Sequence, residues 1–312
     1  MSTTELPVNG SAPRRDMPGE IPPLSCEPLL RPGNTNCGGC GMSIGLTWLG
    51  RALEDLEQKA HLAIPACCGA VTAGAFPTTS YAMPTVATTF AAAPAVASGL
   101  ASIRDLNGSE EQVICWAGDG GTYDIGFATL SAAAERNENI LYICYDNEIY
   151  GNTGGQRSSA TPPGARTTTT PHGKSESKKD VMSIMAAHGI PYAATLSVGH
   201  PEDFRQKLHT ALTTSGMRFL LMHSPCPTGW KSEPAESVQL VRLAVRSGLF
   251  PLFEVFGGQR YRINAEPDWA DPTEYFRRQR RFRPEEVDLG TTRRWARERF
   301  QRLKVLAEAF PA

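Results

Sequence analysis

Apolar runs and polar breaks alternate along the chain at the spacing of strands and helices. Residues 113–116 are a short run of β-formers that stops at a glycine turn. The Ala- and Leu-rich stretch 125–136 predicts a helix, and 140–145 is again a buried-strand run. Upstream, Ile44, Leu46, Leu49, Leu53 and Leu56 line one side of a helix expected from Ser43, read as its N-cap, to Gln58. A buried strand is expected over 62–68, ending in Cys67-Cys68-Gly69, and a small-residue helix over 88–106. Downstream come a helix over 180–188, a strand over 192–196, a helix after Pro201, a strand over 219–223 and a helix over 238–247. This alternation predicts an α/β fold with an open, mostly parallel sheet and helices on both faces.

Three stretches fall outside the pattern. Residues 1–30, rich in Pro, Ser and Glu, read as an extended N-terminal arm laid over a partner subunit. Residues 157–179 form a long Ser-, Thr-, Pro- and Gly-rich loop, a length that points to function or an interface. Its Lys174, Lys178 and Lys179 could meet an anion, but a solvated polar face is favoured. Residues 257–312 are charged and aromatic and are expected as a C-terminal arm contacting partner subunits, which leaves 31–256 as the binding domain.

Composition narrows the function. The 312 residues carry a net charge of −1, so nothing general attracts nucleic acid or an anionic membrane. The basic-aromatic run 275–282 is offset by Glu285, Glu286 and Asp288. No stretch is long and apolar enough to span a bilayer, and the N-terminus lacks the apolar core of a signal peptide. Eight cysteines without such a signal point to the cytoplasm and to metal ligation or core packing rather than disulfides.

The chemistry concentrates between 118 and 156. Asp119, in Gly118-Asp119-Gly120-Gly121, and Asn147 fall just beyond the carboxyl ends of two strands joined by one helix, where open α/β sheets bind ligands. Asp119 offers a charged oxygen, Asn147 a neutral one and the Ile149 carbonyl a third, a hard-oxygen set suited to Mg²⁺ shared with a phosphate. Gly118, Gly120 and Gly121 let the backbone approach that phosphate. A GDG turn followed by a distant Asn resembles the thiamine-diphosphate-binding motif.

Cys37-x-x-Cys40 lets two thiolates from one tight turn reach a common metal site, as in zinc sites and iron–sulfur clusters. Cys67 or Cys68, at one strand end, and Cys226, at another, could complete the set on the ligand-bearing edge. Cys115 and Cys144 lie inside apolar strands and read as core, and Cys26 has no identifiable partner. Four thiolates beside a thiamine site suggest electron removal. A zinc-stabilised, non-catalytic assembly subunit and a non-redox thiamine decarboxylase half are the competing readings.

Over about residues 30–260 the chain resembles the β subunit of the 2-oxoacid:ferredoxin oxidoreductases, closest to the pyruvate:ferredoxin oxidoreductase (pyruvate synthase) type. The matching motifs are Cys37-Gly-Gly-Cys40-Gly41, the cysteine at 68, Ala117-Gly-Asp-Gly-Gly121, Asp146-Asn-Glu-Ile-Tyr150, Asn152-Thr-Gly-Gly-Gln156 and Pro225-Cys-Pro-Thr-Gly-Trp230. The resemblance implies the thiamine-diphosphate-binding fold, with a 4Fe–4S cluster on Cys37, Cys40, Cys226 and, by alignment, Cys68. It implies Mg²⁺ on Asp119, Asn147 and the Ile149 carbonyl; Asn147 stands where pyruvate enzymes often carry Thr. Asn152 is implied to reach the reacting end of the cofactor, with Thr153 beside it.

The implied reaction is decarboxylation of a 2-oxoacid, single-electron transfer to the cluster and acyl transfer to coenzyme A. Pyruvate is the leading substrate; a phenylglyoxylate-like or branched-chain 2-oxoacid with NAD as final acceptor is the alternative. An α-type partner is implied to supply the glutamate that engages the aminopyrimidine ring, and γ and ferredoxin-like δ subunits to pass electrons to ferredoxin.

Overall fold

The computed structural model describes residues 28–74 and 78–312. Cys26, Phe76, Pro77 and residues 1–27 of the expected N-terminal arm lie outside the described residues. One eight-stranded sheet runs in the order β2-β1-β3-β4-β6-β5-β7-β8. Its strands are β1 (Ala60–Ile64), β2 (Thr85–Ala87), β3 (Gln112–Gly118), β4 (Leu141–Asp146), β5 (Tyr192–Ser197), β6 (Arg218–His223), β7 (Leu252–Phe256) and β8 (Arg260–Ala265). The first six are mutually parallel; β7 runs antiparallel to β5, and β8 to β7. Strands β4, β5 and β6 are buried at every position, as helices on both faces require.

Helices α1 (Gly41–Asp55), α2 (Cys68–Thr72), α3 (Ala93–Leu106), α4 (Phe127–Glu135), α5 (Val181–Ala187), α6 (Pro201–Thr213), α7 (Pro227–Trp230), α8 (Ser237–Arg246), α9 (Thr273–Arg277) and α10 (Leu289–Ala309) fill the connections. Among the described residues no helix is long and apolar enough to cross a membrane.

Two local expectations shift. Helix α1 begins at Gly41, with Cys40 in the cap position, so Ser43 lies inside it. The earlier start follows from an outside partner: the Gly41 N–H donates to the Pro225 carbonyl at 2.9 Å. Strand β1 stops at Ile64, before Pro65, and Cys68 opens α2 instead of closing a strand. A proline at 65 ends the ladder because it has no N–H to donate.

Residues 257–312 contribute β8 to the main sheet, and α10 packs against β8. Tyr275, Phe276, Arg281 and Phe282 from this stretch are buried. Contact of the same stretch with partner subunits stands as a proposal.

Candidate functional site

Strand β1 has β2 on one side and β3 on the other, so the strand order reverses at β1, and a crevice opens at such a switch point. The cleft there is lined by Cys68, Phe90, Gly118, Asp119, Gly120, Gly121, Asn147, Ile149, Asn152 and Thr153 among others. A wider open groove along α10, with Glu266, Trp269, Arg297 and Lys304 on its walls, contains none of these residues.

Asp119 follows the last residue of β3 and is 2% exposed. Its Oδ2 accepts a hydrogen bond from the Ser158 hydroxyl. Burial, then the nearby Asp146 carboxylate, pushes its pKa well above the usual range. Such a group calls for a positive partner. Gly120 has no room for a side chain, since a Cβ there would lie 2.3 Å from the Tyr150 ring. That ring also donates its hydroxyl to Asp124 at 2.8 Å.

The oxygen set converges. Asn147 Oδ1 stands 2.9 Å from Asp119 Oδ1 and 2.8 Å from the Ile149 carbonyl oxygen. Adjacent oxygens in an Mg²⁺ octahedron, with bonds of 2.0–2.1 Å, are about 2.8–3.0 Å apart. Turning the Asn147 amide over would convert both contacts into N–H···O bonds without any ion. That turn exchanges the single bond Asn147 Oδ1 accepts from the Ile149 N–H at 3.3 Å for two of 2.9 and 2.8 Å, so the bare site favours it and the oxygen set forms when an ion is bound. One carboxylate, one amide and one carbonyl, with no thiol or imidazole among them, is a donor set that fits Mg²⁺.

Cys67 and Cys68 line the same cleft; Cys37, Cys40 and Cys226 are not part of its lining. Cys37 precedes α1 and is exposed, and Cys40 caps α1. The Gly41–Pro225 hydrogen bond ties their loop to the one bearing Cys226. Thr228 Oγ1 lies 3.5 Å from Cys37 Sγ, and Cys226 Sγ accepts the Gly229 N–H at 3.3 Å. Burial pushes the Cys68 thiol up to about 12, with the thiols of Cys226, Cys67, Cys40 and Cys37 adding to the rise. Burial likewise pushes Cys226 up to about 11, and Cys40 and Cys37 contribute. Cys226, Cys67, Cys40 and Cys37 are therefore all within electrostatic reach of Cys68.

A Cβ built on Gly151 would lie 3.8 Å from Cys68 Sγ and 3.9 Å from both the Asn147 amide nitrogen and Ile149. A Cβ built on Gly229 would lie 3.1 Å from Cys226 Sγ and 2.7 Å from Ile149 Cγ2. Ile149 and Gly151 thus lie close to the sulfurs of Cys226 and Cys68. The Cys67 thiol donates to the Pro65 carbonyl at 2.9 Å while Cys67 and Cys68 both line the cleft, so Cys68 as the fourth sulfur stands as a proposal. Among the described residues no three His, Cys, Asp or Glu side chains are close enough to hold a single metal ion. Cys115 and Cys144 are fully buried in β3 and β4.

Asn152 and Thr153 are exposed at the rim, in a turn closed by Tyr150 and Gln156. The lysines of loop 157–179 are engaged by the fold, although much of the loop around them is exposed. Lys178 pairs with Asp146 at 2.6 Å and Glu148 at 2.9 Å, and Lys174 Nζ donates to the Thr161 carbonyl at 2.7 Å. These groups, with the Tyr123 carbonyl that accepts from Lys179 Nζ, claim the three lysines that could have met an anion. Ser158, Glu148 and Arg281 support the site without having been singled out. Glu148 lay inside a recognised motif, whereas Arg281 lay in a basic run that looked like surface.

Residues 66–222 match the thiamine pyrophosphate enzyme family, C-terminal TPP binding domain. The chain is 42% identical over 293 residues to ketoisovalerate oxidoreductase subunit VorB of Pyrococcus furiosus, covering 89% of this chain and 93% of that protein. It is 44% identical over 264 residues to pyruvate synthase subunit PorB of Methanothermobacter thermautotrophicus, covering 82% and 90%. The solved 2-oxoglutarate:ferredoxin oxidoreductase of Magnetococcus marinus shares the fold, with a TM-score of 0.58 at 24% identity over 70% of this chain and 81% of that one. A switch-point cleft on a sheet of this order, together with relatives this similar over most of their length, places the chain in the family of thiamine-diphosphate-binding β subunits of 2-oxoacid:ferredoxin oxidoreductases.

Proposed function

We propose that this chain holds both the thiamine diphosphate and the first electron acceptor of a CoA-acylating 2-oxoacid oxidoreductase. What supports the reading most is that Cys68 and Cys226 lie close to segment 149–151, which also carries the Ile149 carbonyl of the oxygen set. Bound thiamine diphosphate supplies the carbon that attacks a 2-oxo group and takes up the electron pair left by CO₂, and a 4Fe–4S cluster supplies a one-electron acceptor. Asp119, Asn147 and the Ile149 carbonyl hold the Mg²⁺ that binds the diphosphate. Gly118, Gly120 and Gly121 keep the floor of the cleft free of side chains. Cys37, Cys40, Cys68 and Cys226 hold the cluster, the first exposed and the other three half-buried. Asn152, at the open rim, is positioned to hydrogen-bond the substrate.

The same reading makes catalysis depend on an α-type partner that supplies the aminopyrimidine glutamate, with γ and ferredoxin-like δ subunits leading to ferredoxin or an NAD-linked acceptor. Pyruvate is the proposed substrate. The nearly equal identity to a ketoisovalerate oxidoreductase subunit makes the branched acid the second one. The test is to purify the chain anaerobically with its partner subunits and assay CoA-dependent acceptor reduction on a panel of 2-oxoacids. Reduction with pyruvate or ketoisovalerate supports the reading. CO₂ release that needs neither CoA nor an electron acceptor refutes it.

A further inference from the structure

The two oxygens of Asp119 have different neighbours. Oδ1 meets the Asn147 amide, and Oδ2 is claimed by the Ser158 hydroxyl. Both residues are buried, Ser158 completely. Among the described residues no other side chain donates to Oδ2.

The groups around Ser158 fix where its proton points. A hydroxyl has one proton to give and two lone pairs with which to accept. The Ala160 N–H donates to Ser158 Oγ at 3.2 Å. Thr161 Oγ1 accepts the Ser158 N–H at 2.9 Å and gives its own proton to the Glu148 carbonyl at 2.7 Å. Thr161 Oγ1 also lies 3.4 Å from Ser158 Oγ, a longer contact than either of these. Asp119 is therefore the strong acceptor for the Ser158 hydroxyl. Leaving a buried acceptor unmet costs about 1–3 kcal/mol, and more when it is charged, so this bond governs how the carboxylate is turned.

Ser159, the next residue, has a separate task. Its hydroxyl and its N–H both donate to Asp124, the carboxylate that also accepts from the Tyr150 hydroxyl. The start of loop 157–179 is thus moored twice, by Ser159 to a carboxylate outside the oxygen set and by Ser158 to the one inside it.

We infer that Ser158 is a positioning residue, which by holding Asp119 Oδ2 presents Oδ1 to the cation that binds the coenzyme. The inference deepens the magnesium site proposed above and rests on it. On ion binding Oδ1 exchanges the turned-over Asn147 amide for the cation, while Oδ2 keeps Ser158 throughout.

The test uses the full chain copurified with its partner subunits and stripped of divalent cations. Mg²⁺ is titrated at saturating thiamine diphosphate, with bound coenzyme as the readout, on the wild type, Ser158→Ala and Ser159→Ala. The expected result is a midpoint that rises about tenfold in Ser158→Ala, as when other partners of metal ligands are removed, and is unchanged in Ser159→Ala.

Equal rises in the two variants would reduce Ser158 to a loop anchor, and an unchanged midpoint in Ser158→Ala would remove it from the site; either result overturns the inference. Should Ser158→Ala fail to fold, Ser158→Cys decides, because a thiol is a weaker donor and the midpoint must still rise. A wild type that retains coenzyme without any divalent cation sinks the magnesium site itself, a failure distinct from the other two.

Discussion

Gly41 is where the Cys37–Cys40 loop touches the Cys226 loop, and Gly41→Ala probes that contact with one methyl group. A Cβ there would lie 2.3 Å from Pro225 Cδ and 2.7 Å from the Pro225 backbone nitrogen. Carbon atoms in contact settle at about 3.5 Å or more, so the two loops must part by roughly 1.2 Å. Pro225 is a rigid ring on the backbone next to Cys226 and cannot swing aside as a flexible side chain would. Metal–ligand distances tolerate about 0.2 Å, far less than this displacement. Overpacking of this kind costs about 1–3 kcal/mol, which a chain of this size survives. The expected protein is therefore folded and retains thiamine diphosphate but lacks its cluster. Iron and acid-labile sulfide analysis of anaerobically purified protein, with a thermal melt alongside, reads this out. Wild-type iron content at an unchanged melting temperature would show that the two loops do not form one cage.

Asp119→Asn removes the only charged oxygen of the magnesium set. It should abolish coenzyme retention on desalting while iron content stays at the wild-type level; loss of both together would count against two separable sites. Trp230→Phe removes the Nε1–H donor to the Asn147 carbonyl and leaves a buried acceptor unpaired, a loss of about 1–3 kcal/mol measurable as a lower denaturant midpoint. His223 is stacked 4.6 Å from Phe250, and burial holds its pKa down to about 3. The unfolded chain takes up that proton near pH 6.5, so stability should fall as the pH drops below about 6.5, by up to ~1.4 kcal/mol per unit. His223→Phe should flatten that slope between pH 6 and 4.5, and an unaltered slope would assign the acid lability to other groups.

What could be read from the sequence follows from which interactions are local. The run 113–116, the glycine stop at 118 and the run 140–145 each carry their own periodicity, and they became β3 and β4 with Asp119 and Asn147 just past the strand ends. Ser43 looked like a cap because capping is usually a side-chain matter, yet α1 is started by a backbone bond to Pro225, distant in sequence. The lysines of 157–179 carried no sign of their partners, because Asp146 and Glu148 became neighbours only through the fold. Arg281 was least visible, being 133 residues from Glu148 and surrounded by exposed arginines in the chain. Spacing also left Cys67 and Cys68 equivalent; the start of α2 after Pro65 points one thiol back at the Pro65 carbonyl and the other toward Gly151.

The most direct measurement is anomalous diffraction at the iron and zinc edges from anaerobically grown crystals of the complex with Mg²⁺ and thiamine diphosphate. The expected map shows iron among the sulfurs of residues 37, 40, 68 and 226, and a diphosphate reached through the cation at Asp119. Zinc at those sulfurs, or a coenzyme bound away from Asp119, would contradict the proposal that one chain holds both groups side by side.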